Sequence, residues 1–228
     1  TSVQRPIDPN DIIGPTGFGD ENWITTDTPL PYTIRFENQP SATAAAQEVV
    51  ITQNLDPDLD CRTFRLGSFG WSGLTFEIPD NRSFYQDRID LTKDYGFFVD
   101  VIATIDVING VATWTITTID PETGQKTADA LIGFLPPNDE ESVGEGFVTY
   151  TIRPDADAET GAVIDAQATI VFDTEAPIDT PPIFKTLDAG TPISPIRHLP
   201  TTTIPPEFLV SWTATDNKNG SGMAGKPA

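Results

Sequence analysis

Along most of this chain, apolar and polar residues alternate one by one. Over Pro31–Asn38, Tyr32, Ile34 and Phe36 fall on one side and Thr33, Arg35 and Glu37 on the other. A period of two predicts a strand with one buried face. The longest such run lies within residues 160–182. There Ile164, Ala166, Ala168, Ile170 and Phe172 point one way, and Val163, Asp165, Gln167, Thr169 and Val171 the other. The alternation stops at Asp173, where a Pro-punctuated acidic exit begins, so this run is predicted to be the closing strand of a sandwich.

Between these two runs the pattern predicts further strands at Glu48–Gln53, Thr63–Phe69, Leu74–Ile78, Phe84–Asp90, Tyr95–Asp106, Val111–Ile119 and Gly146–Arg153. Residues 70–73 form a hairpin tip carrying Trp71, either as an exposed aromatic or as a cap on the sandwich end. Asn109-Gly110 predicts a two-residue type I′ turn, and Asp56-Pro57 and Asp120–Gly124 predict tight turns. No amphipathic helix of useful length interrupts the series. About nine strands without alternating helices predict an all-β fold, an Ig-like antiparallel β-sandwich with long loops.

Outside the strand pattern, composition sets the boundaries. Residues 1–29 are rich in Pro, Gly and Asp yet hold Ile12, Ile13, Phe18 and Trp23, which predicts a loop-rich segment packed on the domain. The sandwich is assigned to 30–188, with 183–187 pairing as an edge strand, and a Pro-rich linker to 189–206. An orphan strand and tail follow at 207–228, where Phe208, Val210 and Trp212 share one face. A lone strand is not stable by itself, so this one either opens a next domain or completes another subunit's sheet. The start at Thr1 and the lack of a leader pattern fit a piece of a longer or processed protein.

Charge adds a chemical constraint. The 228 residues carry 34 acidic and 13 basic side chains, a formal net charge of -21. Such a surface repels phosphate backbones, which argues against nucleic acid as a partner, and no run approaches the length of a membrane span. It favours hard cations, and carboxylates and amide oxygens in loops are the ligands calcium takes. Asn138, Asp139 and Glu140 form one candidate set, and Asp8, Asp11, Asp20 and Glu21 another, each equally readable as ordinary charged turns. The acidic turn at 154–161 is read as solvated, because its glycine does not fit the spacing of a calcium-binding helix–loop–helix.

Catalytic patterns are sparse. The single Cys61 excludes an intrachain disulfide and reads as a small buried hydrophobe, and the single His198 sits in a Pro-rich stretch. No nucleophile elbow, zinc-protease helix or phosphate loop occurs, so no catalytic residue is assigned and the chain is read as no enzyme. A lysine–carboxylate crosslink needs a buried lysine, whereas Lys93, Lys126 and Lys185 are predicted near strand ends. Trp71, Phe69 and Tyr85 are candidates for a carbohydrate-stacking platform.

Several stretches also resemble a known family. They are DPNDIIGPTGFGDENWI (8–24), LPYTIRFEN (30–38), the 55–60 turn, FRLGSFGW (64–71), GFLPPND (133–139), GFVTYTIRP (146–154) and ATIVFDTEAPIDTP (168–181). Together they resemble the Ig-like repeat domain of very large bacterial extracellular and cell-surface proteins, common in cyanobacteria and planctomycetes. The resemblance covers roughly 8–188 and implies extracellular location and tandem assembly. The segment from Asp173 to Pro177 resembles junctions between bacterial Ig-like repeats in which carboxylates hold an ion, which makes Asp173, Glu175 and Asp179 the leading calcium candidates. The expectation is a structural or adhesive surface module stiffened by calcium, with neighbouring domains or identical subunits as partners. Two alternatives stand beside it: a subunit polymerising by donation of strand 208–214, and a module binding surface polysaccharide.

Overall fold

The computed structural model describes residues 10–191, 193, 213–216 and 220–222. Among them are fourteen strands and no helix. In chain order they are β1 (Asp11–Ile13), β2 (Trp23–Thr25), β3 (Leu30–Glu37), β4 (Glu48–Asn54), β5 (Leu59–Trp71), β6 (Leu74–Phe76) and β7 (Phe84–Asp90). Then follow β8 (Phe98–Asp106), β9 (Val111–Ile119), β10 (Glu145–Pro154), β11 (Val163–Ala166), β12 (Ala168–Phe172), β13 (Ile178–Asp179) and β14 (Ile183–Asp188).

Two sheets make the sandwich. One has the order β1-β3-β10-β5-β6, the other β13-β12-β4-β9-β8-β7, and both are antiparallel throughout. The inward residues are those the alternation selects: Tyr32, Ile34 and Phe36 on β3, Val148, Tyr150 and Ile152 on β10, and Trp114 and Ile116 on β9 are all buried. An aromatic bridge spans the layers, with Trp114 centred 6.1 Å from Phe64 and 5.7 Å from Tyr150. Tyr150 in turn stacks on Tyr32 at 5.0 Å.

A third, small sheet of order β11-β14-β2 closes the flank. The predicted closing strand is divided at Gln167. Its first part, β11, pairs with β14, while its second part, β12, pairs with β4 in the large sheet. Ile164, Ala166, Ala168, Ile170 and Phe172 all remain buried across the switch. Thr180 holds the corner: its hydroxyl accepts the Ala168 N–H at 3.0 Å and its carbonyl accepts Gln167 Nε2 at 2.8 Å.

Several expectations are corrected. The strand count exceeds nine because the closing strand divides into β11 and β12, β14 is a strand in its own right, and β1, β2 and β13 have only two or three residues, too few to display a period. Residues 183–187 do not lie at an edge; β14 sits between β11 and β2. Its pairing with β2 is parallel, the exception to an antiparallel fold. The hairpin at Asn109-Gly110 is not a two-residue turn, since Asp106 pairs with Val111 across a four-residue loop. The Asp106 carboxylate takes the N–H groups of Ile108 and Asn109, and Gly110 supplies the left-handed residue at φ 65°.

Candidate functional site

The acidic candidates are not gathered into one centre. Among the described residues no group of three or more His, Cys, Asp or Glu side chains is arranged to hold a metal ion. Asp8 lies outside the described residues, as do Phe208, Val210 and Trp212. Asp20 and Glu21 are exposed, and their backbone carbonyls accept Asn22 Nδ2 and the Thr186 hydroxyl. Asp11 is held by Arg35 in a two-pronged ion pair, with Nε donating to one carboxylate oxygen at 2.7 Å and Nη2 to the other. The Asp11 carboxylate and burial act oppositely on Arg35; the hydrogen bond is the larger, so the guanidinium is held above its ordinary pKa.

Asp173 ends β12 with φ 49° and turns back to cap β4. Its carboxylate accepts the backbone N–H of Gln47 at 3.2 Å and of Glu48 at 3.0 Å. Lys126 Nζ lies 3.5 Å from the same carboxylate and 3.4 Å from Glu48. Lys126 therefore does stand beside carboxylates, yet 38% of its side chain is exposed, so the contact is a solvated ion pair. Asp179 accepts the Thr169 hydroxyl at 2.6 Å, and Glu175 is exposed.

Asn138 belongs to a polar knot at the end of β3 and β10. Its Nδ2 donates to Glu37 at 2.7 Å and its Oδ1 accepts the Gly144 N–H at 3.0 Å. Nearby, Asn38 Nδ2 donates to the carbonyls of Ala44 and Leu135. Glu37, Asn38 and Asn10 are buried here, a polar cluster without a local signature in the alternation. Buried polar groups of this kind persist when their partners are supplied, and they fix loop geometry. Asp139 caps the turn through Glu141 N–H, and Glu140 is exposed beside it.

The carbohydrate platform is overturned. Trp71 and Phe69 are core residues, 2% and 1% exposed, stacked with each other at 6.1 Å and packed on Phe76. Trp71 also meets Phe134 edge-on at 5.2 Å, so its ring caps the core from within. Only Tyr85 is part-exposed. Cys61 is half-buried, and burial pushes its thiol pKa up, away from thiolate chemistry.

A groove of about 650 Å3 opens on the outer face of the first sheet, lined by Thr33, Arg35, Leu74, Glu145 and Phe147 among others. Gly70 permits the close approach of two lining residues: a Cβ there would lie 2.2 Å from the Leu74 carbonyl and 2.8 Å from the Phe147 ring. Phe147 did not stand out in the sequence, because outward residues on a strand carry no periodic mark, and Gly70, expected in the hairpin tip, lies within β5 opposite Thr75.

β1 runs antiparallel to β3, with Asp11 opposite Arg35 and Ile13 opposite Thr33. β14 begins near Tyr32: a Cβ on Gly14 would lie 2.9 Å from Ile183 and 3.1 Å from the Tyr32 ring. It ends with Asp188 opposite Thr25, a few residues before Leu30 opens β3. β1, β2 and β14 thus share one polarity, opposite to β3. The N-terminal end of β1 lies toward the Glu37 end of β3, and the C-terminal end of β14 lies at the Leu30 end.

Solved structures similar to this chain include domains of bacterial adhesins and pilins. The collagen-binding domain of a Staphylococcus aureus adhesin aligns over 80% of this chain and 99% of its own, at 10% identity and TM-score 0.39. The group B streptococcus pilus 2b backbone protein aligns over 82% of this chain and 58% of its own, at 17% identity and TM-score 0.43. Domains D2 and D3 of the major pilin SpaD from Corynebacterium diphtheriae align over 75% and 50%, at 13% identity and TM-score 0.40. No curated protein matches the sequence. Residues 8–95 and 102–186, most of the sandwich and its N-terminal flank, match one family, and the chain belongs to it: Domain of unknown function (DUF7619).

Proposed function

We propose that this chain is a non-enzymatic structural module of a bacterial extracellular or cell-surface protein, joined in series with its neighbours. The observation that carries the reading is the opposed placement of its flanks. The chain comes into β1 at one end of the sandwich and leaves β14 at the other. A domain built this way adds its own length to a string of domains, whereas a domain with both flanks at one end folds the string back on itself. The acidic surface supports the same role, because like-charged neighbours in a string repel and stay apart. The carboxylates of Asp11, Asp139, Asp173 and Asp179 act as turn caps, hydrogen-bond acceptors and ion-pair partners of this scaffold.

Two copies joined in tandem test the geometry. Small-angle scattering should give a maximum dimension roughly twice that of one copy, from end-to-end addition of rigid bodies with little folding back. A compact particle overturns the series arrangement. Antibodies against the domain should label intact producing cells; labelling only after lysis overturns the surface location.

A further inference from the structure

The strands at the two ends of the sandwich are paired lengthwise, and this bears on how the domain responds to pull. Tension between neighbours draws β1 by its N-terminal end and β14 by its C-terminal end, in opposite directions along one axis. Each strand is then asked to slide along its partners. Sliding strains every hydrogen bond of the pairing together, whereas peeling from one end breaks them singly. We infer that the domain is a tension-bearing unit, whose resistance comes from shear of β1 against β3 and of β14 against β2 and β11. The inference deepens the series arrangement proposed above and rests on it for the source of the tension.

The local chemistry is concentrated on these seams. β1 has three paired residues, and the Asp11–Arg35 fork lies across the pairing at its pulled end. β14 is held from both sides, by four residue pairs to β11 and three to β2. Gly161 N–H donates to Leu187 O at 2.8 Å, and Leu187 N–H to Ala162 O at 2.8 Å. The Thr186 hydroxyl donates to Glu21 O at 2.7 Å, and Thr186 N–H to Asn22 O at 3.3 Å. Leu187 is fully buried and Ile24 is 7% exposed, so water reaches these bonds poorly. Beyond β14, Ile193 and Thr215 exchange two backbone bonds, Ala189 N–H donates to the Thr160 hydroxyl, and Ser221 N–H donates to Asp188.

Single-molecule stretching of the whole chain between two reference domains measures this directly. A second attachment supplies the peeling case in the same fold. With Cys61→Ser, Ser83→Cys and Val107→Cys, the handles sit at the shared end of β7 and β8, whose pairing from Phe84–Thr104 to Asp90–Phe98 then opens one bond at a time. End-to-end rupture should need at least about twice the peeling force, since forced unfolding reports the barrier along the pulled direction. Equal forces, or a stronger peel, overturn the inference. Thr186→Val, near-isosteric at a buried site, should lower the end-to-end force and leave the peeling force unchanged. An equal fall in both would show general weakening and also overturn it. Because these readings concern the isolated domain, they are independent of the cell-labelling result.

Discussion

Tyr32→Phe should make this protein more stable, against the usual direction of core substitutions. Tyr32 is 2% exposed and stacks on Tyr150 with an interplanar angle of 10°. Its hydroxyl is buried and has no hydrogen-bond partner among the described residues. A buried hydroxyl without a partner costs about 1–3 kcal/mol, and phenylalanine keeps the ring while removing it. A gain of about 1 kcal/mol at neutral pH raises Tm by about 2–4 °C for a domain of this size. A second signature appears in alkali. Burial, helped by the charge of Asp56, pushes the Tyr32 pKa up to about 12 from its ordinary 10. Below pH 10 the phenol is protonated in both states and its contribution is complete. Between pH 10 and 12 the unfolded chain gives up the proton while the folded one keeps it, so stability falls as pH rises. Two pKa units correspond to about 2.7 kcal/mol lost across that window. Tyr32→Phe removes this share of the slope, leaving that of Tyr150, whose pKa burial also raises. Urea unfolding followed by tryptophan fluorescence, at pH 7 and in half-unit steps to pH 12, reads both effects. A variant destabilised at pH 7 by more than about 1 kcal/mol would show that the hydroxyl is satisfied, and an unchanged alkaline slope would refute the burial argument.

Gly146→Val should be strongly destabilising, because a Cβ at that position meets the Phe36 ring at 2.3 Å within paired strands; a loss of about 1–3 kcal/mol by chemical denaturation is expected. Asp173→Ala removes the acceptors for Gln47 and Glu48 and forces alanine into a left-handed φ, for a cost of about 2–4 kcal/mol. Asp173→Gly should recover the backbone part of that cost, and equal losses for the two variants would show that the conformation plays no part. Melting curves with calcium and with EDTA should coincide, since the carboxylates of Asp11, Asp173 and Asp179 are already engaged by protein donors; a sharp fall in EDTA would instead show a calcium-stiffened scaffold.

The sandwich was legible because its strands are buried on one face, and one-sided burial imprints itself as alternation. Ile164 to Phe172 shows both the strength and the limit of this signal. All five inward residues were identified, yet the passage from one sheet to another at Gln167 was invisible, because both sheets bury the same side of the strand. The role of β14 was misjudged for a related reason: what makes it central is pairing with Trp23–Thr25, far back in the chain, and three-residue strands have no period to read. The turn at 107–110 follows from the Asp106 carboxylate, a local rule outranked by the Asn-Gly signal in the sequence reading. At the candidate site, residue types were visible but their partners were not. Asp11 looked like a loose ligand until register placed Arg35 beside it, and Asn138 until folding brought Glu37 within reach.

The parallel seam between β2 and β14 also fixes when the domain can be completed. Trp23 waits for Thr186, so at ordinary rates of synthesis β2 stays without its mate for on the order of ten seconds or more after it leaves the ribosome. During that interval it is an exposed strand edge, the kind that pairs with whatever extended segment arrives first. In an array of similar domains the competitor is the β14 of a neighbour, and the wrong choice exchanges strands between two units. Three residues are a short template, easily abandoned until Ile24 and Leu187 close the core over it. The brevity that hid β2 from the sequence pattern thus also limits how firmly a wrong mate could hold it.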